Sequence, residues 1–68
     1  MQEHVELEVS LEITMAEIAK AMFELSSEKE TQKRETIEKK LENLICIQEN
    51  AYKGNRKYIK KILNREFL

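Results

Sequence analysis

From Val5 to Thr14 apolar and polar residues alternate without a fault. Val5, Leu7, Val9, Leu11 and Ile13 occupy one set of alternate positions, and Glu6, Glu8, Ser10, Glu12 and Thr14 the other. Side chains alternate faces along a β-strand, so the run predicts one half-buried strand over about 5–14. No other segment has this period. A lone strand leaves its backbone donors and acceptors open and needs a partner strand. The pattern therefore predicts a homo-oligomer, most simply a two-fold dimer with antiparallel strands. Val5, Leu7, Val9, Leu11 and Ile13 form its expected interface.

The period then changes from two to 3.6. Thr14-Met15-Ala16-Glu17 fits a capping box, with Thr14 as N-cap, and Met15, Ile18, Ala19, Met22 and Phe23 follow as one apolar stripe. This predicts a helix over about 15–26. Ser27-Glu28-Lys29-Glu30 is a second capping box. It opens a helix over about 28–53 whose apolar face runs through Ile37, Leu41, Leu44, Ile45, Gln48 and Tyr52. Gly54 suits the left-handed residue past a helix end. Tyr58, Ile59, Ile62, Leu63 and Phe67 then mark a third helix over about 56–67. A helix running straight through Gly54 keeps the same apolar phase and is the competing reading; a break is favoured. The predicted architecture is thus mainly α, one N-terminal strand followed by two or three helices, forming a single small domain over 1–68 completed by dimerisation.

Length sharpens this picture. A chain of 68 residues extracts only about 3–5 kcal/mol from its own core. Small domains add disulfides, a metal or oligomerisation. One cysteine, Cys46, excludes an internal disulfide, and Cys46 with His4 is too small a set for a structural zinc site. Oligomerisation is the remaining route. No stretch approaches the roughly 20 apolar residues of a membrane span. The single thiol and an acidic N-terminal stretch without a basic leader pattern predict a cytoplasmic setting.

Charge is nearly balanced, at −1, but polarised. Residues 1–12 hold four acids and no base, while residues 53–65 hold six bases and no acid. Glu6, Glu8 and Glu12 on the outer strand face either solvate an exposed edge or contact a basic partner. Arg56, Lys57, Lys60, Lys61 and Arg65 near Tyr52 and Tyr58 supply the elements of a nucleic-acid contact, phosphate neutralisation and base stacking. The plainer account is a soluble helix with its tyrosines in the apolar face. At about three turns and without tryptophan, that helix is a poor membrane binder.

Catalytic chemistry finds no support. There is no Ser/His/Asp arrangement, no glycine-rich phosphate loop and no paired carboxylates in a pocket. Cys46, between Ile45 and Ile47, reads as a small buried hydrophobe, since no base or helix N-terminus is at hand to activate it. Met15 and Met22 read as adaptable packing residues. No catalytic, cofactor-binding or metal-binding residue is expected, and no cofactor.

The order of an alternating strand, a capped helix and a longer helix over 5–52 resembles the ribbon-helix-helix regulators, in which paired strands enter the DNA major groove. The resemblance implies a dimer. Glu6, Glu8 and Glu12, facing outward from such a ribbon, have the wrong sign for DNA. The acidic alternating run followed by Ala16-Glu17-Ile18-Ala19-Lys20-Ala21-Met22-Phe23-Glu24-Leu25-Ser26-Ser27-Glu28 is also similar to small phage-encoded proteins. That likeness implies an accessory protein that modulates another protein. The function expected is therefore non-enzymatic: a small intracellular protein that binds and inhibits or adapts a protein partner. The alternative is an oligomeric nucleic-acid-binding regulator using the basic C-terminal helix.

Overall fold

The computed structural model describes residues 2–67. Three helices account for most of them: α1, Gln2–Ser27; α2, Thr31–Tyr52; and α3, Arg56–Leu63. No β-strand is present among the described residues. This overturns the strand over 5–14, the strand-paired dimer and the ribbon-helix-helix topology. The helix expected to start at Thr14 instead begins at Gln2 and continues through it.

The alternating run is helical for identifiable reasons. A helix satisfies its backbone groups within the segment, whereas a lone strand cannot. Extending the strongly helical 15–26 segment backward needs no new nucleus. A second pattern underlies the alternation: Leu7, Leu11, Thr14, Ile18, Ala21 and Leu25 recur at steps of three or four residues. Ser10, Thr14 and Ala21 are buried. The two hydroxyls do not strand polar atoms there. Ser10 Oγ donates to the Leu7 carbonyl at 2.8 Å. Thr14 Oγ1 lies 3.0 Å from the carbonyls of Ser10 and Leu11, so it bonds back along its own helix and caps nothing. The cost of the helix is that the alternating apolar set is divided. Leu7, Leu11 and Ile13 become half-buried, while Val5 and Val9 face outward. These five residues do not share one face of the helix.

At 26 residues, α1 is about 39 Å long and sets the 45 Å long axis of the molecule. Residues 28–30 turn the chain into α2, which runs back antiparallel. Arg34 closes this end, donating from its guanidinium to the carbonyls of Leu25 at 2.7 Å and Glu28 at 2.8 Å. Such carbonyls at a helix C-terminus have no partner within the helix. Ser27 donates back to the Phe23 and Glu24 carbonyls, so it ends α1 instead of capping α2. The N-cap of α2 is Glu30, without a side-chain cap bond.

The helix does break at Gly54. Its φ is +87°, its N–H reaches the Ala51 carbonyl at 2.9 Å, and the Asn55 N–H reaches the Asn50 carbonyl at 3.2 Å. This pair of bonds is the Schellman closure that glycine favours. Asn55 then caps α3, its side chain accepting from the Lys57 N–H at 3.1 Å. The end of α3 repeats the same closure with Arg65 at φ 60°. There the helix stops at Leu63, short of the expected Phe67.

The turn at Gly54 lays α3 across one side of the α1–α2 hairpin. Ile59 and Ile62 of α3 join Ile47 and Ala51 of α2 in the core, and Leu7, Ile13, Tyr58, Leu63 and Phe67 pack around them. Glu6 and Arg56 tie α1 to α3 at 2.8 Å. The Asn43 side-chain amide donates to the Phe67 carbonyl.

Candidate protein-docking face

The opposite side of the hairpin is left without a third helix. On α1, Leu11, Met15, Ile18 and Met22 follow one another at steps of four, three and four residues. On α2, Leu41, Ile45, Gln48 and Tyr52 repeat the same steps. This spacing keeps each set in a single row along its helix, the seam geometry of packed helix pairs. The inward rows are different residues: Ser10, Thr14 and Ala21 on α1, and Leu44, Ile47 and Ala51 on α2. The second pair of rows therefore lies beside the hairpin core and opens to solvent. Met15 is 63% exposed, Met22 57% and Tyr52 73%, values that decide against core packing for all three. Leu11, Ile18, Leu41 and Gln48 are half-buried and form the floor.

Between the rows a shallow, largely apolar cavity of about 420 Å³ is lined by Leu11, Met15, Gln48, Glu49, Tyr52 and Lys53. Its lining shows that the free rows of α1 and α2 share one side of the molecule. Carboxylates edge the face. At about 100° per residue, Glu8 stands next to the α1 row on its outer flank. Glu38, Glu42 and Glu49 do the same for α2. These four are exposed, and Glu8 pairs with His4 at 3.0 Å. Glu12 instead lines a separate depression with Val9, Ile13, Ala16, Glu17 and Arg65.

The residues expected from sequence to form an acidic contact surface are thereby separated. Glu6 lies on the α3 side, held by Arg56, Glu8 borders the open face, and Glu12 lines the depression at Arg65. The basic set is separated too. Arg56 is engaged with Glu6. Lys57 and Lys60 are exposed, and Lys61 sits 6.0 Å from the Tyr58 ring centroid. Arg65 lies in the closing turn, at a depression shared with Glu17, Lys40, Glu66 and Phe67. Tyr58 packs into the core, and Tyr52 is on the other side of the hairpin from α3. The two tyrosines thus lie on different sides of the molecule, Tyr58 beside Lys61 and Tyr52 beside Lys53.

Two further expectations are corrected here. Cys46 is exposed and not buried; its sulfur accepts a contact from the Asn50 amide at 3.7 Å. The face from Ile37 to Tyr52 is two rows: Leu44 points inward, and Leu41, Ile45, Gln48 and Tyr52 line the open side. Among the described residues, no group of His, Cys, Asp or Glu is placed to hold a metal ion, and no helix is long and apolar enough to cross a membrane. Comparison with protein-family models, curated proteins and solved structures returned no match.

Proposed function

We propose that this chain is a non-enzymatic interaction protein that binds and modulates a protein partner through the open α1–α2 face. The observation that carries the reading is the pair of unpartnered apolar rows, with Met15, Met22 and Tyr52 more than half exposed. A helix burying one apolar row against its neighbour and exposing a second is built to receive another helix or sheet. The molecular surface agrees. It measures 5211 Å² for a chain of 8.1 kDa, where a folded monomer of that mass exposes about 4,500 Å². The excess of about 700 Å² goes with the elongated 45 × 18 × 16 Å shape, which leaves the flank of the hairpin opposite α3 open.

The partner-binding role sits in an intracellular, cytoplasmic setting and suits an accessory protein of the kind that the phage likeness over 5–30 implies. The nucleic-acid alternative is less favoured because the aromatic beside the α3 bases, Tyr58, is half-buried against the core, and the exposed Tyr52 lies on the other side of the hairpin. Replacing Tyr52 with a photo-crosslinking phenylalanine analogue in expressing cells tests the reading. A discrete adduct with another protein, lost in Met15→Glu/Met22→Glu, is expected. Absence of any adduct overturns the reading, and adducts with this chain alone replace the foreign partner with a second copy.

A further inference from the structure

We infer that the occupant of this face is a basic amphipathic helix of about three turns. The inference rests on the docking reading above and specifies the partner's chemistry. Three observations carry it. The first is length. The α1 row from Leu11 to Met22 spans 12 residues, about 17 Å from first to last, so a helix of similar length laid between the rows covers the whole face. The second is the floor. Methionine side chains are unbranched and polarizable and reshape around different apolar neighbours, so Met15 and Met22 accept a row of leucine-like residues by changing rotamer. Such a helix enters the groove through residues at i, i+3, i+4 and i+7.

The third observation is the rim. Glu8, Glu38, Glu42 and Glu49 stand along the edges, and Lys53 is the base among the groove-lining residues. Lysine or arginine flanking the incoming apolar row meets opposite charge on both sides. Across an interface, such complementarity speeds encounter and rejects wrong partners. A second copy of this chain brings the same carboxylates onto those already there, which is a built-in bias against self-association.

The probe is a fluorescein-labelled peptide of about 14 residues containing leucine and lysine, patterned at helical period. It is titrated with the full chain at about 0.15 M salt, where charges beyond about 8 Å are screened. Saturable one-to-one binding with a gain of helical circular dichroism is expected. A leucine–glutamate peptide with the same apolar row, and a leucine–lysine peptide of equal composition reordered to destroy the row, should each bind at least tenfold more weakly. Glu8→Lys/Glu49→Lys should cut leucine–lysine affinity at least tenfold and raise leucine–glutamate affinity. These sites are exposed, so folding is retained, and far-UV circular dichroism checks it.

Equal binding of the ordered and reordered peptides overturns the inference, because charge alone then accounts for it. So does unchanged binding by Glu8→Lys/Glu49→Lys. A dimer in light scattering that the peptide does not dissociate overturns it in favour of a second copy. If the Tyr52 adducts persist while the peptide fails to bind, the docking face stands and only the basic-helix partner falls.

Discussion

Val9→Asp separates the helical account of the N-terminal segment from a strand-centred one more sharply than any other single change. In a half-buried strand Val9 is the central interface residue, and a carboxylate there is a buried unpaired charge that abolishes folding. On α1 the same residue faces outward and is 39% exposed. Full burial of a valine side chain stabilises by about 1.5–3 kcal/mol, so losing the partial burial seen here costs about 1 kcal/mol. Valine and aspartate have similar helix propensities, so the backbone adds little. Against a total of about 3–5 kcal/mol for a domain this small, the variant remains folded. Urea denaturation followed by circular dichroism at 222 nm reads the change directly. Ala21→Asp is the control, since Ala21 is buried on the inward row; an unpaired carboxylate there costs several kcal/mol and unfolds the chain. A Val9→Asp protein as disordered as Ala21→Asp refutes the placement of α1.

The two closing turns form a matched pair. Gly54→Ala puts a Cβ into open space, with nothing within 4 Å, but at a φ of +87°; backbone strain less the unfolded-state entropy leaves a loss of about 0.5–1 kcal/mol. Arg65→Gly relieves the same strain at φ 60° and should gain about 0.5–1 kcal/mol, both read from denaturation midpoints. Asn55→Ala removes the cap of α3 and should cost about 1 kcal/mol, with Asn55→Asp close to neutral. A double-mutant cycle on Glu6→Ala and Arg56→Ala should give a coupling of about 0.5–1 kcal/mol that shrinks at high salt, because both side chains are more than a third exposed. Zero coupling would remove the Glu6–Arg56 strap from the account.

Much of the helical content is legible in the residues. The stripe from Met15 to Phe23, the glycine at 54 and the apolar set from Tyr58 to Phe67 each indicate helix or helix end, and local chemistry is enough for that. The strand error has a definite source. Ten alternating residues satisfy a period of two, yet Leu7, Leu11, Thr14 and Ile18 satisfy a helical period in the same stretch. Thr14 and Ser10 read as polar and outward-facing, but a hydroxyl bonded to its own helix is buried at little cost, and this reverses the inside and outside of the segment. Capping signals failed for the same reason. Thr14-x-x-Glu17 and Ser27-x-x-Glu30 have the right letters, but their hydroxyls bond backward.

The open face was hidden by a different limit. Apolar residues from Ile37 to Tyr52 look like one stripe in one dimension. Only the direction of the hairpin partner and the position of α3 divide them into an inward row and an open one. Met15 and Met22 likewise read as core because apolar periodicity reports that a face wants cover, without reporting that the chain itself fails to supply it. The glutamates gain meaning only once the rows they border are known to be open.

The most direct test of the central claim is a titration of the chain, carrying labelled methionine and isoleucine methyl groups, with the leucine–lysine peptide, followed by methyl NMR. The account predicts progressive shifts at Met15, Met22, Ile18 and Ile45, with Ile59 and Ile62 in the core unmoved. Shifts centred on Ile59 and Ile62, or no shift at Met15 and Met22 in the presence of saturating peptide, would contradict it.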